Sequence, residues 1–507
     1  MRYDSSPPRS AARHSLLLST QTQRDSMTDN ALGGPAPHTR IRGKALGLLA
    51  VLCAAFFLDA LDVSMLAVAI PQVGAELNMT TTLPWIVAGY VLGFGGFLLF
   101  GGRAADLLGR RRVFLIALAV FVLMSALGGI AWNGEILIAT RFLKGVAAAF
   151  TAPAALSLVT TSFSEGPARN RALSFYTATG SAGFTFGLIF GGLLTEWDWR
   201  AVFFMPAIIG ALTLLAGLWL IPAQPRAAQR ERLDIPGALL ITAAMMAIVY
   251  ALTLGPDQGW GNIATWGSLL VGILLVVVFA LVERHQAHPL LPLHVVKSWP
   301  RVRSNLAAFV LVGAWGASQF LLTLHFQDTL GWSPLATAAA FWPCGVLGLF
   351  IAPFMGRLIT RFTLLGVTAV GLLMTVIAYG LLQLVELDSM YWVAFFPSFA
   401  LIGVAFTLIF GTAAIGATSG LPADEQGLAG GVLQTASQFG TAVLLAVTTA
   451  VYRANLISDA SPQQQLSAYE AGWMVPLTAS VLALIMVAVS VRPIKRTRNL
   501  VQEEGIN

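Results

Sequence analysis

About fourteen apolar runs follow one another along this chain, each roughly 18–25 residues long, the length of a helix that crosses a hydrocarbon core. No soluble core could bury so many long runs. Within lipid the backbone must satisfy its own hydrogen bonds, which leaves helices or a closed barrel. Period-two alternation is absent, which excludes a barrel. Only 11% of the 507 residues are charged, against about 25% in a soluble chain. The chain reads as an all-α integral membrane protein.

Placement of Lys and Arg sets the topology. With the N-terminus cytoplasmic, nineteen of the 30 fall in inner loops or the C-terminal tail, and two, Arg200 and Arg453, fall outside. That asymmetry is the positive-inside pattern. It puts both termini in the cytoplasm and the chain in the plasma (inner) membrane, and it explains the +6 net charge without nucleic acid. Residues 1–44 are a polar, disordered tail that contains a second candidate start, Met27. Residues 45–221 hold six spans, 222–303 a central segment with two more, and 304–491 a further six, before a tail at 492–507. Gly102-Arg103-Ala104-Ala105-Asp106 after the second span is echoed by Gly356-Arg357-Leu358-Ile359-Thr360 after the tenth. Two six-helix bundles plus two inserted central helices follow, since paired halves typify secondary transporters.

Four charges lie deep in these runs: Asp59 and Asp62 in the first, Arg141 and Lys144 in the fourth. Charge in hydrocarbon is costly and marks a polar pathway or a partner. Each pair has i, i+3 spacing and shares one helix face. The two spans run antiparallel, so the rise per residue sets Asp62 level with Arg141 and Asp59 level with Lys144. The cluster is either a proton-coupling and substrate pathway, because desolvation and a neighbouring cation act oppositely on a carboxyl, or a permanent neutral lock.

Gly102, Arg103, Asp106, Gly109, Arg110 and Arg111 form an inner loop whose glycines and acid exceed what a merely basic loop needs. The fifth span carries Gly180, Gly183, Gly187, Gly191 and Gly192 on one stripe, which lets another helix pack closely. The thirteenth carries Gly427, Gly430, Gly431, Gln434 and Gln438 similarly. These stripes are either simple packing or a sliding interface between the halves. Gln327, Gln434 and Gln438 are candidate substrate contacts, and His325 is a candidate polar contact or an interface anchor. Trp315, Phe320, Phe341 and Trp342 are candidates to line an apolar cavity or to face lipid. His285, His288 and His294 lack metal-ligand spacing, and Cys53 and Cys344 read as reduced packing residues.

The chain carries no Walker A, nucleophile-elbow or zinc motif. It reads as no enzyme, without metal or cofactor, drawing on a proton gradient.

At these residues the chain resembles the major facilitator superfamily, in its fourteen-span drug:proton antiporter branch, over roughly 45–491. Gly102 to Arg112 is similar to the superfamily's loop signature between spans two and three. Leu61-Asp62-Val63-Ser64-Met65-Leu66-Ala67-Val68-Ala69-Ile70-Pro71 resembles the branch's first-span motif, with Ser64 and Ala67 where Thr and Asn are usual. Arg141-Phe142-Leu143-Lys144-Gly145 is similar to the fourth-span motif, with Lys144 in place of Gln. Gly183 to Gly192 resembles the fifth-span antiporter motif, with Leu188 in place of Pro, and Trp199-Arg200 and Gln327 also fit. The resemblance implies alternating access, with Asp62 and Arg141 near the proton and substrate path. The expected function is proton-coupled efflux of small lipophilic compounds by a monomer in the bilayer, with a lean toward neutral or anionic substrates because Lys144 adds a cation. The alternatives are a metabolite or lipid-precursor carrier, possibly an importer, and a non-transporting sensor or scaffold.

Overall fold

The structure, a computed structural model, describes residues 43–79, 81–163, 167–222, 234–258, 262–286, 297–421, 426–457 and 461–490. The tails, most of 222–233, His288, His294, Asp424 and Glu425 lie outside the described residues.

Long apolar segments form helices because each then meets its own backbone hydrogen bonds. In order they are α1 (Lys44–Glu76), α2 (Trp85–Leu108), α3 (Arg110–Gly129), α4 (Gly134–Ser162), α5 (Pro167–Trp197), α6 (Ala201–Leu220), α7 (Ile235–Gln258), α8 (Ile263–His285), α9 (Trp299–Leu324), α10 (Pro334–Ile351), α11 (Met355–Leu381), α12 (Phe396–Thr418), α13 (Gln426–Asn455) and α14 (Pro462–Ser490). No strand occurs among the described residues.

Local chemistry sets the breaks. Gly109, at φ 95°, separates α2 from α3 in a conformation that side chains disfavour. Asn133 caps α4 by accepting from the Ile136 amide at 2.9 Å. A π-helical turn, His325–Thr329, extends α9. Thirteen described runs are long and apolar enough to cross a membrane, and one of them, Pro334–Leu384, has 51 residues. That run takes in α10 and α11. It is interrupted by a 3₁₀ turn at Ala352–Phe354 and by Thr363 at φ 66°, whose hydroxyl accepts from the Gly366 amide at 3.2 Å.

Glycine lets the helices approach closely, which matters because lipid supplies no hydrophobic drive between them. A Cβ on Gly93 would strike the Phe142 carbonyl, and one on Gly145 the Tyr90 carbonyl, so α2 and α4 touch backbone to backbone. Gly313 of α9 and Gly440 of α13 do the same for that pair. Helix α1 packs on α4, α5 and α6, and α3 on α4 and α6. Likewise α9 packs on α12, α13 and α14, and α11 on α12 and α14. Between the sets, α2 meets α13, α5 meets α10 and α1 meets α9. The pair α7–α8 lies beside α2 and α13, touching them through α7.

The buried side chains reveal which end is shut. Where α1 finishes (the distal end), one cluster runs through Met65, Ile70, Met79, Trp199 and Phe203 into Trp315, Phe326, Phe341, Phe399 and Trp473. Midway along the helices a second cluster joins α2, from Ala88 to Leu98, to α13, from Phe439 to Ala446; toward the other, proximal end two further clusters each stay within one set. One draws on α1 to α6, from Leu48 to Ile221, and another on α9 to α14, from Ala307 to Val487.

Candidate functional site

Asp62, Arg141 and Lys144 are 1%, 2% and 1% exposed, and they meet. Arg141 Nη1 donates to Asp62 Oδ2 at 2.6 Å, and Lys144 Nζ donates to Asp62 Oδ1. The three-residue spacing on α4 lets the two cations close on the two oxygens of one carboxylate. Buried charges need such full pairing to be tolerated.

Both cations make further contacts. Lys144 Nζ donates to Ser125 Oγ of α3 at 2.7 Å, and it faces the Phe121 ring at 4.6 Å, a favourable cation–π position. Arg141 Nε donates to the Ile86 carbonyl at 3.3 Å, and its guanidinium lies 4.5 Å from the centroid of the Tyr90 ring.

Equal pairing across the register is not what the structure contains. Asp62 takes both cations, and Asp59, one turn nearer the proximal end, takes the Tyr90 hydroxyl as donor. The carboxylate of Asp59 turns toward α2, while Asp62 points at α4. Among the described residues no Lys or Arg forms an ion pair with Asp59. It is half-buried and lines a narrow recess of about 10 Å³, room for about one water, with Phe56, Phe121, Thr151 and Tyr176 among the walls. Phe56 and Tyr176 stack there at 4.6 Å. Lys144, being clamped, offers no open cation to an anionic ligand, so the lean toward anionic compounds loses its basis.

The glycines of α5 face α1. A Cβ on Gly183 would meet the Phe57 carbonyl, one on Gly187 the Leu61 carbonyl at 2.6 Å, and one on Gly191 the Met65 Cα at 2.7 Å. Gly192 faces the other way, 2.8 Å from the Leu335 Cα of α10 by the same measure. The stripe is therefore mainly packing within the first six helices, and Gly192 is its contact across the two sets. On α13, Gly431 faces Leu99 of α2, and the Gln438 Cβ touches Gly95, while Gln434 is half-buried.

Gln327 also crosses between the sets, donating to the Val68 carbonyl of α1 at 2.9 Å. His325, fully buried, touches the rings of Tyr469 and Trp473. Trp315, Phe320 and Phe341 are buried in the shared distal cluster, whereas Trp342 is 52% exposed. The expected inner loop is helical apart from Gly109: Gly102 and Arg103 are half-buried in the last turns of α2 and Arg110 and Arg111 open α3, where Arg111 donates to the Leu218 carbonyl at 2.9 Å. The Asp106 side chain lies outside the described set. At the distal end Glu76 accepts from Trp199 Nε1 and from Arg200 Nη1, each at 2.5 Å.

Tyr90, Ser125 and Glu76 were not legible as site residues. A tyrosine or serine inside an apolar run has no distinctive sequence context. The available signal was Gly89 and Gly93 flanking Tyr90: small residues bring α4, and with it Arg141, against that stretch.

Residues 52–445 match the family model described as Major Facilitator Superfamily. Over 453 residues the chain is 37% identical to the puromycin resistance protein pur8 of Streptomyces alboniger, covering 87% of this chain and 89% of that one. The cephamycin export protein CmcT of Amycolatopsis lactamdurans is 36% identical over 433 residues, covering 83% and 87%. Among solved structures, the POT family transporter PepTSo superposes with a TM-score of 0.61 at 16% identity, covering 87% of this chain and 98% of that one, a likeness of fold.

Proposed function

The chain belongs to the major facilitator superfamily, and from that premise we propose that it exports small lipophilic compounds, drugs among them, in exchange for protons by alternating access. The observation that carries the reading is Asp62, 1% exposed between Arg141 and Lys144 inside membrane helices, beside the less buried Asp59. Three buried charges are expensive in hydrocarbon, and such charges characteristically serve a pathway. A membrane potential of 100 mV supplies about 2.3 kcal/mol per charge moved, enough for roughly a fifty-fold gradient per proton.

We read the architecture as two six-helix bundles, 45–221 and 304–491, with the 222–303 pair inserted between them. The 51-residue run Pro334–Leu384 would be about 76 Å long as one helix, more than twice a hydrocarbon core of about 30 Å. Divided at its interruptions it makes two spans, fourteen in all, as in the drug:proton antiporter branch. The positive-inside pattern puts both termini in the cytoplasm and makes the distal end external. The shared distal cluster then corresponds to a state closed to the outside.

The test uses inverted vesicles with an acid interior, holding wild type or Asp62→Asn, challenged with puromycin, a cephamycin and neutral lipophilic compounds. Proton release driven by compound in wild type but not in the variant supports antiport through the Asp62 cluster. Release in both removes Asp62 from the path. Saturation by a single metabolite points to a dedicated carrier, and no flux from folded protein points to a sensor or scaffold.

A further inference from the structure

The two acids of α1 are three residues apart, yet their surroundings differ in kind. Asp62 has each oxygen held by a separate cation. Asp59 stands at the wall of the recess, with the Tyr90 hydroxyl as its recorded hydrogen-bond partner. Tyr90 reaches both: its hydroxyl is on Asp59, and its ring lies under the guanidinium that holds Asp62. It is 1% exposed, and its own carbonyl is packed against Gly145 of α4, so its backbone is held against that helix.

We propose that Asp59 carries the exchangeable proton, that Asp62 is a fixed counter-charge, and that Tyr90 is the positioning residue joining them. The inference rests on the proton-coupled reading above and assigns its parts.

Charge accounting supports the division. The ionisable groups facing Asp59 are Asp62 on its own helix, Tyr90 from α2, Arg141 and Lys144 from α4, and Tyr176 from α5; the part of α3 in the recess, Leu118 and Phe121, brings none. Arg141, Lys144 and ionised Asp62 together carry one positive charge, and ionised Asp59 brings the cluster to zero. A proton placed on Asp62 breaks two ion pairs and strands two buried cations, a severe loss. A proton placed on Asp59 breaks none. It reverses one hydrogen bond: the new carboxylic O–H donates to the Tyr90 oxygen, and the phenolic hydrogen rotates away. No covalent bond other than the carboxyl O–H forms. That reversal shifts the hydroxyl of a ring on which Arg141 rests, which links loading at the recess to the clamp on Asp62. Asp59 also lines the recess, whereas Asp62 is 1% exposed and is not in its wall.

The test needs no transported compound. Infrared difference spectra of the purified full-length protein, taken across a pH titration in light and heavy water, report the C=O stretch of any carboxyl group that gains a proton. The expected result is a titrating carboxylic band that disappears in Asp59→Asn, survives in Asp62→Asn and changes frequency in Tyr90→Phe, which keeps the ring and deletes only the hydroxyl. A band that survives in Asp59→Asn, or the absence of any titrating band in wild type, overturns the assignment. An unmoved band in Tyr90→Phe removes Tyr90 from it. Tyr90→Phe deletes a single oxygen, so it carries the test if either Asn variant fails to fold. The band with no compound-driven flux leaves the proton site standing and sinks the efflux reading; flux without the band does the reverse.

Discussion

Lys144 donates to Ser125 at 2.7 Å, and Ser125 passes its own hydrogen to the Phe203 carbonyl at 2.7 Å, so the buried ammonium is tied through one hydroxyl to the backbone of α6. Ser125→Ala deletes that link and removes one of the acceptors of the buried ammonium. The expected loss of stability is about 1–3 kcal/mol, read as a lower midpoint in thermal unfolding of the detergent-solubilised protein. An unchanged midpoint would mean that the hydroxyl carries no such weight.

Asp62 and Lys144 should be strongly coupled. Removing one partner of a buried pair costs about 3–5 kcal/mol, because the other is left uncompensated. Asp62→Asn and Lys144→Met should each be severely destabilising. The double variant, which retains Arg141 without its acid, should still lose less than the sum of the two singles. Additive losses in the double-mutant cycle would refute a direct interaction.

Position on the glycine stripe sets a steric contrast. A Cβ on Gly187 meets the Leu61 carbonyl at 2.6 Å, whereas one on Gly430 meets nothing within 4 Å. Gly187→Ala should cost about 1–3 kcal/mol by forcing α5 off α1, and Gly430→Ala should be neutral or slightly stabilising. Equal melting behaviour of the two variants would contradict the packing described.

Gln327 acts at the distal seal. Losing the 2.9 Å bond to Val68 should weaken closure by about 0.5–1.5 kcal/mol, a shift of about two- to tenfold between open and closed populations. Spin labels on the distal ends of α5 and α10 should report a larger long-distance fraction in Gln327→Leu than in wild type. Identical distance distributions would assign closure to other contacts.

His325 is fully buried, neither of its ring nitrogens has a hydrogen-bond partner among the described residues, and aromatic rings surround it. Unmet polar groups in such a place cost about 1–3 kcal/mol. His325→Phe should therefore raise the unfolding midpoint, and a fall would show that the imidazole has a role the static contacts miss.

The sequence by itself determined the class of fold, most of the spans and the membership of the central cluster. Twenty apolar residues in lipid admit only a helix, and a charge placed among them identifies itself. Asp62, Arg141 and Lys144 were legible for that reason. Tertiary structure alone decided who pairs with whom. The register put Asp59 level with Lys144, but a carboxylate has two oxygens and α4 offers two cations on one face, so Asp62 took both. Asp59 was left to Tyr90, a residue with no charge to mark it. The same limit hid Ser125 and the direction of each glycine: Gly191 and Gly192 are neighbours in sequence, yet one touches α1 and the other α10. Helix periodicity fixes the angle between two side chains, but which neighbour lies at that angle is settled only when the helices pack.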